Sequence, residues 1–197
     1  MPKALIRMAA PEDAHALRQI YAPFVTDTNT SLETEVPTLE ECTRRIAETL
    51  ENYPFLLCEE GGAILGYCNA GQHSRRGGYR FDVDVSVYVA PQHHRRRIGS
   101  ALYSALFAII REQGYYNAYA AIVADNAASI ALHRANGFSE VGVFKNIAYK
   151  RGRWEDLIWM EKNLREYDTP APTKSIGETD PRLIQKILED CARIIGG

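Results

Sequence analysis

Cysteine is scarce in this sequence. The 197 residues include only four cysteines, none of which forms a C-x-x-C pair or stands near paired histidines. We therefore expect reduced, mostly buried thiols and no metal ion. The sequence also lacks an apolar run of the roughly 18 to 20 residues that span a bilayer, and no long apolar core opens the chain. These two absences predict a cytoplasmic protein without a membrane partner.

An excess of positive charge is missing as well. The formal net charge is -2 and the sequence pI is ≈ 6.2, so no broad field would attract nucleic acid. No P-loop ending in G-K-[ST] is present, which argues against ATP or GTP as a ligand. The expected partner is therefore a small molecule or another protein.

The hydrophobic pattern alternates between strand and helix periods, which predicts a mixed α/β fold. The clearest strand is Tyr79–Val89, in which every second residue is apolar. A basic loop over 92–97 follows it, and then an amphipathic helix over 98–113. Further strands are predicted at 4–7, 55–59, 63–71, 115–123, 138–148 and 157–163, and further helices at 14–24, 38–53 and 126–136.

The chain changes character after Leu164. Residues 168–181 are rich in proline, threonine, serine and glycine, and an amphipathic helix is predicted over 182–195. We therefore predict one domain over 1–164, followed by a linker and a docking helix within 165–197. The sequence leaves open whether that helix packs on its own subunit or across a dimer.

The segment Val85–Phe107 combines a strand, a basic turn and the start of a helix. Unpaired N–H groups and the positive end of the helix dipole make such a start an anion site. Arg95, Arg96 and Arg97 add positive charge, and Gly99 would allow a ligand or another backbone to approach closely. A diphosphate is the natural ligand of this arrangement, and a solvated basic turn is the simpler alternative.

In the register set by Val87-Tyr88-Val89, the residues His94–Gly99 resemble the central coenzyme A motif Q/R-x-x-G-x-G/A of GNAT acetyltransferases. His94 stands where glutamine or arginine is usual, and Arg97 replaces the first glycine. In that family a bulge in the strand turns one backbone amide toward the thioester oxygen, here at Val87 or its neighbour. The resemblance implies that coenzyme A lies against Val87, Tyr88, Val89, His94, Arg95, Arg96, Arg97, Ile98, Gly99 and Ser100.

A second segment, Ile122–Phe138, resembles the later GNAT element in which N-x-x-[SA] precedes a helix ending in G-F. The spacing puts Asn126, Ser129 and His133 on one helical face. The resemblance implies that Asn126 and Ser129 bind the pantetheine arm and that His133 is catalytic. A histidine there is typical of the phosphinothricin acetyltransferase subgroup, although a lone helical histidine is more often only a satisfied polar group.

Other parts of that subgroup are present, in Ser31–Glu35 and Tyr149–Asp156, so the resemblance covers about residues 4–164. It implies a mostly antiparallel splayed sheet flanked by helices, acetyl-CoA as donor and frequent homodimers. Arg76 and Tyr79 would bind the acceptor, a small amino-acid-like amine such as phosphinothricin, methionine sulfone or methionine sulfoximine. Arg80 adds a second cation beside them, which leaves the choice among such acceptors open.

Asp84 occupies the position of the subgroup's proposed glutamate base. An aspartate is one methylene shorter, and with a normal pKa it is a weak base. Burial beside Phe81 and Tyr79 would have to raise the pKa of Asp84 for it to act as a base. Otherwise Asp84 would hold the acceptor ammonium, or would be an ordinary strand carboxylate facing water.

Three other functions compete with this interpretation. A GNAT enzyme could act on a protein N-terminus or a polyamine, and arginines in the acceptor pocket would argue against both. A non-catalytic acyl-CoA sensor would bind coenzyme A without needing Asp84 or His133. An RNA-binding module could use the basic loop 92–97, which lacks interleaved aromatic residues and a wider basic face.

Overall fold

The computed structural model describes residues 3–196, and its seven strands form one sheet in the order β1-β2-β3-β4-β5-β7-β6. The strands are β1 (Leu5–Met8), β2 (Phe55–Glu60), β3 (Ala63–Gln72), β4 (Asp82–Val89), β5 (Asn117–Val123), β6 (Ser139–Lys150) and β7 (Arg153–Asn163). The helices are α1 (Ala14–Thr26), α2 (Leu39–Leu50), α3 (Ile98–Glu112), α4 (Ala127–Ala135) and α5 (Pro181–Ala192). The predicted mixed α/β fold is confirmed.

The sheet opens between β4 and β5, which are its one parallel pair of neighbours in the described residues. They pair only at Asp82↔Asn117, Val83↔Ala118 and Asp84↔Tyr119. Beyond that point each strand continues without pairing to the other, to Val89 and Val123. All other neighbouring strands are antiparallel. The result is a mostly antiparallel, splayed sheet with a gap at its centre.

Successive residues of β4 face opposite sides of the sheet, and each side has its own core. Val83 and Val85 belong to the larger core, which also contains the apolar side chains of α3 and α5. The other side packs under α1 and α2, where Leu17 and Ile46 belong to the core around Leu57. The alternation therefore places Asp84, Ser86 and Tyr88 on the side of α1 and α2.

Two predicted strand starts are wrong by three residues or more. Strand β4 begins at Asp82 and not at Tyr79, because Gly77–Tyr79 forms a tight 3-10 turn instead. Strand β7 begins at Arg153 and not at residue 157, because it forms a hairpin with β6 through the pair Lys150↔Arg153. The turn of this hairpin uses positive φ angles at Arg151 and Gly152, 50° and 82°.

The helix of the C-terminal segment packs on its own subunit. Helix α5 contacts α3 and β1, and Ile184, Leu188 and Ala192 are buried in the larger core. The outermost residues of the predicted ranges 1–164 and 165–197, namely Met1, Pro2 and Gly197, lie outside the described residues.

The four cysteines are free thiols, of which Cys58 and Cys68 are buried and Cys42 and Cys191 half-buried. Burial raises the pKa of Cys58 to about 11. Within residues 3–196, no group of histidine, cysteine or carboxylate side chains could hold a metal ion. No helix in that range has the length and apolarity needed to cross a membrane.

Candidate active site

The gap between β4 and β5 widens into a cleft of about 530 Å³ bounded by the first turns of α3 and α4. Eleven of the residues that the sequence predicted for coenzyme binding line it: Val87, Tyr88, Val89, His94, Arg95, Arg97, Ile98, Gly99, Ser100, Asn126 and Ser129. Five lining residues were missed: Phe24, Thr30, His93, Ala128 and Leu132. Phe24 and Thr30 come from a distant part of the chain, so no local motif signalled them.

Strand β4 presents backbone amides to the gap. Its register against β3 runs without a shift from Gly66↔Val89 to Gln72↔Val83, so the bulge expected near Val87 is absent. The Ala90 N–H donates to the Leu65 carbonyl at 2.9 Å. Because hydrogen-bonded and non-hydrogen-bonded pairs alternate in an antiparallel ladder, the N–H groups of Val87 and Val89 face away from β3. Regular alternation thus provides the amide for which a bulge was expected.

The start of α3 is free of any side-chain cap. Arg97 occupies the N-cap position with a left-handed φ of 60°, and Arg95 has a φ of 63°. A left-handed conformation costs a non-glycine residue about 1 to 2 kcal/mol, which explains why the motif usually has glycine at the Arg97 position. His94 ties the turn to β4, because its Nε2 lies 3.0 Å from the Val89 carbonyl. The turn therefore leaves the first amides of α3 unpaired beside two guanidinium groups.

Arg96 differs from the prediction. Its guanidinium donates two hydrogen bonds, of 2.8 and 3.1 Å, to the Glu60 carboxylate and does not line the cleft. Arg96 lies between two residues with left-handed backbone, Arg95 and Arg97. Two of the three arginines therefore remain for an anion in the cleft.

Gly99 permits the close approach of a neighbouring helix. A Cβ atom at Gly99 would lie 3.1 Å from Cδ2 of Leu132, a residue of α4. This distance is tighter than ordinary van der Waals contact, so the leucine would have to shift. The glycine therefore lets the start of α3 and the middle of α4 pack together beside the cleft.

The start of α4 is capped within the protein. The Asn126 side chain accepts a hydrogen bond from the Ser129 N–H at 3.1 Å, and its amide lies 3.3 Å from the Thr30 hydroxyl. His133 Nδ1 lies 2.8 Å from the Ser129 carbonyl, which can only accept, so Nδ1 carries a proton. Its Nε2 lies 2.8 Å from the Tyr103 hydroxyl. Burial lowers the pKa of His133, so the neutral imidazole is favoured.

Asp84 lies on the sheet face beside the gap. Its Oδ1 is 2.7 Å from Nδ1 of His73, a residue that the sequence analysis did not single out. Burial raises the pKa of Asp84, and the hydrogen bond from His73 opposes that rise. The expected neighbour Phe81 instead packs against Tyr116 at a ring distance of 5.9 Å. The pKa of Asp84 therefore changes in the direction that a base would require, but Asp84 contacts His73 and not Phe81.

The two predicted acceptor-binding residues lie outside the cleft. Arg76 is exposed, and its carbonyl accepts the Tyr79 N–H at 3.0 Å. Tyr79 is 44% exposed, and its ring centroid is 5.7 Å from that of His73. Tyr79 therefore lies near Asp84 through His73, at the outer edge of the same face.

Comparison with known protein families identifies the family to which this chain belongs. The family model described as an acetyltransferase (GNAT) domain matches residues 6–159 of this chain. The chain belongs to the GNAT acetyltransferase family. The matched part includes the whole cleft and ends before α5.

Relatives of this GNAT acetyltransferase act on amino-acid-like compounds, according to their names. A phosphinothricin N-acetyltransferase from Alcaligenes faecalis is 36% identical over 170 residues, 85% of this chain and 86% of the relative. An L-methionine sulfoximine/L-methionine sulfone acetyltransferase from Salmonella typhimurium is 35% identical over 166 residues, 84% and 97% of the two chains.

Solved structures share the fold. A GNAT superfamily phosphinothricin acetyltransferase from Sinorhizobium meliloti, in complex with AcCoA, has a TM-score of 0.81 and 32% identity, over 91% of this chain and 96% of that one. A ribosomal-protein-alanine N-acetyltransferase from Brucella melitensis has a TM-score of 0.78 and 36% identity, over 81% and 99%. The GNAT acetyltransferase fold therefore extends over nearly the whole of both relatives.

Proposed function

We propose that this chain transfers the acetyl group of acetyl-CoA to the amino group of a small amino-acid-like molecule. The proposal depends mainly on the start of α3, which has no side-chain cap and is flanked by Arg95 and Arg97. This helix start lies at the gap, where β4 presents free backbone amides. Free helix amides and guanidinium groups together suit a diphosphate. The solved relative with bound AcCoA supports the same donor.

In this proposal the protein contributes mainly positioning. Acetyl-CoA would supply an acyl group activated as a thioester. The first amides of α3 would hold its diphosphate with Arg95 and Arg97, and Val87 N–H would donate to the oxygen on which negative charge develops. Holding two reactants in line contributes on the order of 7 to 11 kcal/mol. A general base contributes less, typically about 10²- to 10⁴-fold, or about 3 to 5 kcal/mol.

The acceptor would lie on the sheet face that carries Asp84. A carboxylate there can hold an ammonium group or take its proton, and its raised pKa favours the second role more than usual. Arg76 and Tyr79 would bind the acceptor's carboxylate or phosphinate group from the outer edge. The names of the curated relatives support phosphinothricin, methionine sulfone and methionine sulfoximine as acceptors.

The second candidate acceptor is a protein N-terminus. The exposure of Arg76 and Tyr79 leaves the acceptor side open enough for a peptide, and one solved relative is named a ribosomal-protein-alanine N-acetyltransferase. A peptide would not need the cationic Arg76 at the outer edge, which favours the small anionic acceptor.

An assay that measures the free thiol of coenzyme A released from acetyl-CoA tests the proposal. We expect turnover with phosphinothricin, methionine sulfone or methionine sulfoximine, and little with spermidine or an alanine-initiated peptide. The variant Arg76→Ala should raise the KM of the anionic acceptor and leave the KM of acetyl-CoA unchanged. Turnover with the peptide alone would overturn the acceptor class. Failure of calorimetry to detect acetyl-CoA binding would overturn the donor.

The homodimer and the cytoplasmic location implied by the family resemblance stay predictions. In support of a dimer, the β6–β7 hairpin exposes large apolar side chains: Val141, Phe144, Ile147, Tyr149 and Trp154. A second copy of the chain would cover them.

A further inference from the structure

We infer that His73 is a further catalytic residue. Its Nε2 takes a proton from the acceptor ammonium, while its Nδ1 is hydrogen-bonded to Asp84. The inference rests on the proposed acetyl transfer and adds a residue to its acceptor side. It differs from a mechanism in which Asp84 alone is the base.

The geometry of the pair assigns the tautomer. His73 Nδ1 lies 2.7 Å from Oδ1 of Asp84, and an ionised carboxylate can only accept a hydrogen bond. Nδ1 therefore carries the proton, and the lone pair of the neutral ring is on Nε2. Within residues 3–196, Nε2 of His73 has no hydrogen-bond partner and is not among the buried unpaired atoms. The basic nitrogen is thus open to a ligand or to water.

Aromatic side chains fix the plane of this imidazole. Tyr119 of β5 stacks on it at a centroid distance of 4.6 Å and an angle of 28°. Trp159 of β7 meets it edge-on, at 5.9 Å. The indole Nε1 of Trp159 is itself buried and has no hydrogen-bond partner in the part of the chain that the structure describes. A polar molecule or a water bound next to the imidazole would satisfy this unpaired buried donor.

Other charged and titratable side chains lie around the pair. Asp82 on the same strand helps to raise the pKa of Asp84, and Asp82 and Glu161 of β7 act together on Tyr119. Tyr79, from the turn before β4, is the other titratable side chain against the ring. Carboxylates of β4 and β7 therefore lie close to this position. A neutral imidazole is also a better base at physiological pH than a carboxylate of ordinary acidity.

The proposed step begins with the acceptor as an ammonium ion and with acetyl-CoA as an intact thioester. Nε2 of His73 takes one proton from the acceptor ammonium, and the neutral amine attacks the thioester carbonyl carbon. The new C–N bond forms and the C–S bond breaks, so the electron pair leaves with the coenzyme sulfur. The sulfur takes the second amine proton, and the imidazolium of His73 releases its proton to solvent. The net products are the N-acetyl compound, coenzyme A as thiol and one proton.

Variants of His73 and Asp84 test the pair, with the acceptor that the wild type turns over best. His73→Ala should lower kcat by about 100-fold or more, the usual contribution of a general base, and leave the dissociation constant of acetyl-CoA unchanged. Added imidazole should restore part of the activity. His73→Asn can still donate to Asp84 but has no base, so it should be as impaired as His73→Ala. The exposed His15 of α1 offers a matched control, and His15→Ala should behave as wild type.

The double variant completes the test. If His73 and Asp84 act as one unit, His73→Ala combined with Asp84→Asn should be little worse than His73→Ala alone. Near-normal turnover of His73→Asn, or the absence of imidazole rescue in a variant that still binds acetyl-CoA, would overturn the inference and leave the proposed function standing. A wild type that acetylates no amine would overturn both.

Discussion

Two helices begin at the same cleft, and their N-termini are built in opposite ways. At α4 the Asn126 side chain caps the helix by accepting from the Ser129 N–H. At α3 the N-cap residue is Arg97, whose left-handed backbone and long side chain provide no cap. Unpaired amides at a helix start need a partner, and an anion is a suitable one. We therefore predict that α3 forms the binding wall of the cleft and α4 its structural wall.

The side chains behind the two termini follow the same division. The α3 turn places Arg95 and Arg97 at the cleft as charged, accessible groups. Behind the α4 terminus, the buried His133 is engaged by Tyr103 and by the Ser129 carbonyl. Substitutions at α3 should therefore change acetyl-CoA affinity most, whereas substitutions at α4 should mainly change the free energy of unfolding.

The largest effect is expected at Arg97. Removing a charged hydrogen-bond donor from a diphosphate costs about 1.5 to 3 kcal/mol, so Arg97→Ala should weaken acetyl-CoA binding by about 10 to 100-fold. The matched control is Arg96→Ala, because the Arg96 guanidinium binds Glu60 and not the cleft. Isothermal titration of acetyl-CoA into each variant measures both values.

The acetyl-CoA affinity of Arg96→Ala shows whether the coenzyme needs the arginines that line the cleft or only positive charge in the turn. An affinity within about twofold of wild type is expected for Arg96→Ala, since losing a partly exposed ion pair changes stability by only about 0 to 1 kcal/mol. Equal losses of affinity in the two variants would mean that positive charge alone attracts the coenzyme. The contrast between the two sides of the turn would then be unimportant for binding.

A smaller effect is expected at the capped terminus. Asn126→Ala should lower the free energy of unfolding by about 1 kcal/mol through loss of the cap. That corresponds to about 2 to 4 °C in Tm for a chain of this size. Its effect on acetyl-CoA affinity should be smaller than that of Arg97→Ala. Denaturant unfolding and calorimetry of the same samples compare the two quantities.

The control for this variant is another helix cap, far from the cleft. The Thr38 hydroxyl at the start of α2 accepts from the Glu41 N–H at 3.1 Å, so Thr38→Ala should destabilise the protein to a similar degree. Thr38→Ala should leave acetyl-CoA binding unchanged. If Asn126→Ala instead weakened binding as much as Arg97→Ala without destabilising the protein, α4 would also be a binding wall.

The same contrast explains what the sequence could and could not predict. The α3 turn is a local unit in which strand, basic loop and helix follow one another, so the pattern of Val87, Arg97 and Gly99 was sufficient to place it at the cleft. The pairing of Arg96 with Glu60 joins residues from different elements, and so does that of His73 with Asp84. Neither pairing has a local spacing that reveals it, because each depends on which strands become neighbours in the sheet.

The smallest effect should appear in the pH dependence of stability and concerns His133. Burial lowers its pKa in the folded protein, so the unfolded chain binds the proton first as the pH falls. Stability from this group is fully present above the ordinary histidine pKa, is lost as the pH falls toward the lowered value, and is constant below it. His133→Gln should therefore lose less stability than wild type between about pH 7.5 and about pH 5. Urea unfolding at both pH values checks this, with the exposed His15→Gln as control. Parallel losses in all three proteins would mean that His133 is charged within α4, which would make this wall of the cleft as polar as the wall of α3.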